Sequence, residues 1–260
     1  MNPIESFEQM VGQPDDQIDL ATAALLIAAA DHPGVRIENY LSRLDDFSYG
    51  VDDLESLRKR LFVELGFAGE TDDYYSPESS FLDVAIDRRR ANPITLSVIT
   101  MEVARRAGIK LEGIGMPGHF LLRSAYTGQY IDPFFGGEIL DERGIEDRFK
   151  QVTGITVANM AFGPGMRPVS NKKEILARML NNLKAIYKAR SDGRSLEWVT
   201  RLRLALPNVP REEVADLGEA LALQGKHREG AAEIDAVARD HPTLAPTLGP
   251  AARALRASLN

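Results

Sequence analysis

One helix with both of its ends written into the sequence constrains this chain more than any other feature. Asn92-Pro93-Ile94-Thr95 reads as an N-cap with proline at the first helical position, Leu96, Ile99, Val103 and Ala107 mark the face to be buried, and Gly108 ends the helix. Beyond that glycine the period shortens. Lys110 to Met116, Gly118 to Ala125 and Gln129 to Asp132 read as strands, the last two forming a hairpin. A helix followed by consecutive antiparallel strands predicts an α+β layer rather than an alternating α/β sheet.

Upstream, Leu20 to Ala30, Arg36 to Phe47 and Val51 to Gly66 carry apolar residues at helical spacing, with Leu54, Leu57, Leu61 and Leu65 on one face, so a helical bundle precedes the layer. Ser76-Pro77-Glu78 opens a further short helix to about Asp87. Downstream, Gly144 to Val152 suits a short helix, and Gly154 to Pro168, with Gly163-Pro164-Gly165, reads as an irregular stretch arching over the site. After it the chain is helical to the end, closing with a helix at about Gly249 to Ser258. This predicts two units, 1–169 and 170–260. Leu217-Gly218, Gly225 and Pro242 fall at tetratricopeptide-repeat offsets, and Pro207 lies 35 residues before Pro242, near the ~34 of that repeat class. The earlier copy has Asn182-Leu183 where the later has Leu217-Gly218, which leaves a repeat and a plain helical bundle both open.

Pro117-Gly118-His119-Phe120 and Ile131-Asp132-Pro133-Phe134 place a histidine and an aspartate on neighbouring strands, the arrangement of a His/Asp pair in a Cys-dependent triad. The chain has no cysteine, which removes thiol nucleophiles, thiolate metal sites and disulfides together. A two-residue turn at Thr127-Gly128 pairs Asp132 with Arg123, away from His119, whereas a tip at Ala125-Tyr126 sets Asp132 opposite His119. His119 is therefore either a core histidine bonded to a carboxylate or part of a site. His32 and His241 precede prolines at helix ends and His227 sits in a turn, so these three read as cap or loop residues. At the N-terminus of the 93–107 helix, where a thiol would be activated, the hydroxyls of Thr95 and Ser97 are the available nucleophiles; first-turn hydroxyls commonly bond nearby backbone instead.

Other chemistries are excluded or weak. There is no His-x-x-x-His, and Asp72-Asp73 lacks the spacing of a calcium loop, so neither metal nor cofactor is expected. Gly113 to Gly118 is glycine-rich but precedes a strand rather than opening a helix, unlike a nucleotide loop. A net charge of −7 argues against nucleic acid as a partner, and Arg88-Arg89-Arg90 suits a solvated helix end. No apolar run is long enough for a membrane span, and Met1 to Asp19 lacks the order of a signal peptide, so a cytoplasmic location is expected.

Several motifs together resemble the SirB-type transglutaminase-like family: Leu61-Phe62-Val63-Glu64-Leu65-Gly66-Phe67, Pro93-Ile94-Thr95-Leu96-Ser97, Glu102 to Gly108, Gly115 to Phe120, Ile131 to Phe134 and Met179-Leu180-Asn181-Asn182-Leu183-Lys184. The resemblance implies a transglutaminase-like (papain-like) core with N-terminal helices and a tetratricopeptide-like all-α tail. It matches His119 to the catalytic histidine and Asp132 to the aspartate of active relatives, and it favours the register that joins them. The cysteine position falls within Pro93 to Thr95, none of which is a thiol. Two functions follow as expectations. The first is a non-catalytic module that binds a protein or peptide through its helical tail; the second is a hydrolase or acyltransferase using Thr95 or Ser97, with His119 as base and Asp132 as its orienter.

Overall fold

The computed structural model describes residues 2–155 and 168–258. The stretch expected to arch over the site falls mostly at 156–167, outside the described residues.

Four N-terminal helices, α1 (Pro3–Val11), α2 (Leu20–Asp31), α3 (Ile37–Ser48) and α4 (Leu54–Arg58), build one side of the core. Helix α2 is apolar around nearly its whole circumference, so it runs through the interior, and its start is fixed by Asp19 Oδ1 accepting from the Thr22 amide at 2.7 Å. The helix expected over 51–66 is shorter and relaxes after Arg58 into a π-helical segment, Lys59–Glu64, with Leu57 and Leu61 buried. Strand β1 (Ala68–Gly69) pairs in parallel with β2 (Arg90–Ala91) around α5 (Leu82–Arg88). Pro77–Ser80 forms a separate 3₁₀ turn broken from α5 at Phe81, where the sequence suggested one helix.

Helix α6 (Pro93–Arg106) begins and ends as its residues predict: Asn92 Oδ1 caps the Thr95 amide at 3.0 Å, and Gly108 takes φ +76°. It packs on a five-stranded antiparallel sheet formed by β3 (Leu111–Met116), β4 (His119–Ser124), β5 (Tyr130–Asp132), β6 (Glu138–Leu140) and β7 (Val169–Ser170), in the order β6-β5-β4-β3-β7. Phe120, Leu122 and Ile131 face α6 and the main core. The opposite face, with Ile114, Met116 and Leu121, is covered by Ile145 and Phe149 of α7 (Glu142–Thr153).

The remaining helices are α8 (Lys172–Ala189), α9 (Gly193–Ala205), α10 (Val214–Leu223), α11 (His227–Asp240) and α12 (Ala245–Ala257). Leu176, Met179, Leu180 and Leu183 of α8 and Leu196, Val199 and Leu202 of α9 belong to the same core as α1, α2 and α6, whereas a separate apolar cluster starts at Val214. Within that cluster α10 and α11 cross closely, because a Cβ on Gly230 would stand 2.8 Å from the Gly218 carbonyl oxygen. His227 opens α11 rather than sitting in a turn. His32 is not a plain exposed cap: its Nδ1 lies 3.1 Å from Asp83 Oδ2 and its Nε2 3.2 Å from Asp31 Oδ2. Among the described residues no helix is long and apolar enough to cross a membrane.

Candidate functional site

The site grows from two turns. Pro117-Gly118, with Gly118 at φ +70°, closes the β3–β4 hairpin in two residues and makes His119 the first residue of β4, paired with Met116. The β4–β5 connection then sets where Asp132 falls. It is neither turn weighed from the sequence: Leu122 pairs with Ile131 and Arg123 with Tyr130, leaving a four-residue loop, Ala125-Tyr126-Thr127-Gly128. Gly128, at φ +72°, donates its amide to Ser124 O at 2.9 Å and ends that loop. Continuing this register sets Asp132 opposite Leu121, two residues along β4 from His119 and on the same face.

The diagonal contact is made. His119 Nε2 lies 3.0 Å from Asp132 Oδ1 and 2.9 Å from Oδ2, with the two residues 2% and 0% exposed. Asp132 Oδ1 also accepts from the Phe134 amide at 3.1 Å, and Arg148 of α7 brings Nε to 2.8 Å from Oδ2, as an ion pair outside hydrogen-bond alignment. A second oxyanion on the same guanidinium is supplied by Glu138, 2.5 Å from Nη2, and the guanidinium carbon lies 3.5 Å from the centre of the Phe135 ring. The tautomer that donates to this carboxylate carries its proton on Nε2 and keeps the lone pair on Nδ1.

The Phe134-Phe135-Gly136-Gly137 segment walls the pair in. Both phenyl rings sit 5.9 Å from the imidazole. Two glycines make room for this wall: a Cβ on Gly69 would stand 2.6 Å from the Phe134 ring, and one on Gly137 2.4 Å from Phe62.

His119, with Pro93 and Ile94 from the first turn of α6, lines a cleft of about 770 Å³. Neither hydroxyl near the start of α6 is hydrogen-bonded to His119 among the described residues. Ser97 Oγ donates to Pro93 O at 2.8 Å, and Thr95 Oγ1 is buried with no hydrogen-bond partner among the described residues. Thr95 is thus placed near the helix start, while only His119 and Asp132 of the expected trio are in contact.

Two charged residues of the site were not singled out from the sequence. Arg148 reaches Asp132 from α7, which covers the face of the sheet opposite α6. Arg178, on α8, donates from Nη2 to Met116 O at 2.8 Å and to His119 O at 2.7 Å, holding both ends of the Pro117-Gly118 turn. Burial pulls its guanidinium below the ordinary arginine value. The adjacent Met179-Leu180-Asn181-Asn182 motif was the one sequence signal pointing to this helix. Among the described residues no group of three or more His, Asp or Glu side chains is arranged to hold a metal ion.

Comparison with known proteins gives a consistent picture. Residues 27–181 match the family described as the Transglutaminase-like superfamily. The chain is 34% identical over 233 residues to a UPF0162 protein of Xylella fastidiosa (strain Temecula1), covering 84% of this chain and 82% of that protein. A UPF0162 protein of Pseudomonas aeruginosa is 29% identical over 180 residues, 65% of each chain. The F-box only protein 21 of Homo sapiens is 26% identical over 200 residues, which span 72% of this chain and 30% of that protein.

Proposed function

The chain belongs to the transglutaminase-like superfamily, and we propose that within it this protein is a non-catalytic, SirB-type member that binds a protein or peptide partner in the cytoplasm. In this reading residues 1–169 form the transglutaminase-like part, and 170–260 form a tetratricopeptide-like tail that presents the partner surface. His119 and Asp132 are the remnant of a triad, and Thr95 fills the nucleophile's neighbourhood without its chemistry.

One observation supports the reading above the others: among the described residues no hydroxyl is hydrogen-bonded to His119, whose ring pairs with Asp132. An alcohol nucleophile needs a base within hydrogen-bond reach, yet Ser97 is bonded to its own helix and Thr95 Oγ1 is buried without a partner among the described residues. Proline at the first helical position also removes an amide that would serve an oxyanion. The close α10–α11 crossing at Gly218 and Gly230 supports a repeat-like tail. The likeness to F-box only protein 21 supports an interaction role.

The test is exposure of the purified protein to a fluorophosphonate probe and to panels of activated esters and glutamine-containing peptides, beside a His119→Ala control. No labelling of Thr95 or Ser97 and no turnover above the control is the expected result. Labelling or turnover that vanishes in His119→Ala would instead establish a hydroxyl-dependent enzyme.

A further inference from the structure

Two arginines line the cleft, and they differ in how their charge is met. Arg203 is paired to Glu213 through Nε at 2.7 Å and Nη2 at 2.5 Å. Arg178 has no carboxylate partner among the described residues; its hydrogen bonds there are both made by Nη2, to the carbonyls of Met116 and His119. Those carbonyls orient the guanidinium but do not neutralise it. Nη1 and Nε are left without hydrogen bonds among the described residues, and Arg178 borders the open cleft. A partly desolvated cation without an anion is costly, and the cost is relieved by any ligand that supplies one.

The rest of the wall says which anion. Arg178, Asn181 and Asn182 follow helical i, i+3, i+4 spacing, so one face of α8 turns a guanidinium and two amides towards the same cleft. Glu174 also lines it, with its carboxylate engaged at the α8 cap, 2.8 Å from the Asn171 amide. One unpaired cation beside a fixed carboxylate suits a singly charged ligand better than a doubly charged phosphate. Tyr74 and Asn182 are shared with a second, more apolar recess of about 350 Å³, lined also by Tyr75, Ile186, Ala189 and Arg190, whose Nη2 donates to Tyr75 O at 3.3 Å. The two hollows therefore adjoin.

Resting on the partner-binding reading above, we propose that this cleft is a peptide site in which Arg178 takes a carboxylate and the Tyr74–Ile186 recess takes a neighbouring apolar side chain. The carboxylate comes from an acidic side chain or from a chain terminus. Carboxylate recognition by a pre-oriented guanidinium gives direction, and the apolar recess gives register. This locates partner contact on the α8 face beside His119, where the tail meets the transglutaminase-like part.

The test follows the Arg178 Nε–Hε resonance by NMR, assigned by its loss in Arg178→Lys, during titration with four probes. These are N-acetyl-Glu-Leu-amide, N-acetyl-Gln-Leu with a free C-terminus, N-acetyl-Gln-Leu-amide, and inorganic phosphate. The expected result is a saturable shift with one or both carboxylate peptides, the responding one identifying side chain or terminus, and binding about tenfold or more weaker for the neutral peptide. Ala189→Trp, which fills the apolar recess without touching Arg178, is expected to weaken the responding peptide while leaving the protein folded. Equal binding of the neutral peptide, tighter binding of phosphate, or no saturation with any peptide would overturn the proposal. Mass spectrometry of the bound peptides keeps the two readings apart. Intact peptide with a saturable shift supports both, whereas binding with turnover keeps the carboxylate site and ends the non-catalytic reading. No binding and no turnover ends the site alone.

Discussion

Arg178 of α8 donates to the carbonyl oxygen of His119 at 2.7 Å. The strand that carries the histidine is thus held from outside the sheet, by a residue 59 positions further along the chain. Arg178→Met is expected to loosen the Pro117-Gly118 turn and raise amide exchange at 116–120, with α3 and α5 unaffected. Hydrogen-exchange mass spectrometry reads this directly, and uniform exchange across the chain would show that Arg178 does not act locally.

Asp132 is expected to be the most costly single polar position. Its replacement by alanine leaves Arg148 and His119 buried beside an absent carboxylate, so Asp132→Ala should destabilise by about 3–5 kcal/mol, the range for breaking one side of a buried ion pair. Urea unfolding measures it. A loss below about 1 kcal/mol would mean that the group is hydrated and only loosely coupled.

Thr95→Val should have the opposite sign. The hydroxyl is buried and has no hydrogen-bond partner among the described residues, and removing such a group typically returns about 1–3 kcal/mol of desolvation cost. The variant is expected to unfold at higher urea than wild type, with esterase background unchanged. A drop in stability would show that Thr95 Oγ1 has a partner, and a drop in turnover would show that it has a catalytic task.

The junction between α8, α9 and α10 should weaken in acid. Burial, the largest single influence, pushes the carboxyls of Glu213 and Asp216 up. Hydrogen bonds and charge from Arg203 and Lys184 on Glu213, and from Lys184 and Lys188 on Asp216, together outweigh it and hold both below their ordinary values of 4.5 and 3.8. A lowered folded-state value gives stabilisation that is complete above the ordinary value and disappears as pH falls through the lower one. Protection of α10 is therefore expected to be flat from neutrality to about pH 5 and to decline below it. Glu213→Gln should flatten much of that decline.

Gly230→Ala sets two effects against each other. Helix propensity favours alanine by about 1 kcal/mol. The new Cβ, however, meets backbone rather than a movable side-chain end, 2.8 Å from Gly218 O, and overpacking of this kind typically costs about 1–3 kcal/mol. Net destabilisation confined to α10–α12 is expected in a thermal melt followed by exchange, and a stabilised variant would mean that the crossing is slack.

Local signals carried the parts of this fold that are local. Asn92, Pro93 and Gly108 marked both ends of α6, and the three central strands fall within a residue or two of where alternation and turn residues set them. The hairpin register was not legible, because Thr127-Gly128 reads as a two-residue turn while Gly128 instead closes a longer loop with a bond to Ser124. Both weighed registers and the observed one keep the same parity, so each places His119 and Asp132 on one face; they differ in separation along the strand. Arg148 and Arg178 were invisible for a different reason: each acts on the site from a separate helix, and neither the amphipathic pattern of α7 nor the Met179-Leu180-Asn181-Asn182 motif of α8 includes the arginine itself. Beyond Pro168, Leu176, Met179 and Leu180 of α8 belong to the same core as α2 and α6.

The Asp132 carboxylate gathers an imidazole from one strand, a guanidinium from α7 and an amide from the loop that follows it. It works as a keystone, and a keystone stays in place for as long as the arch must stand. Selection for folding alone would retain such a pair whether or not a nucleophile stands beside it. A histidine and an aspartate surviving side by side in a relative of this protein are therefore no measure of whether that relative turns over a substrate; the residue to inspect is the one that faces the free nitrogen.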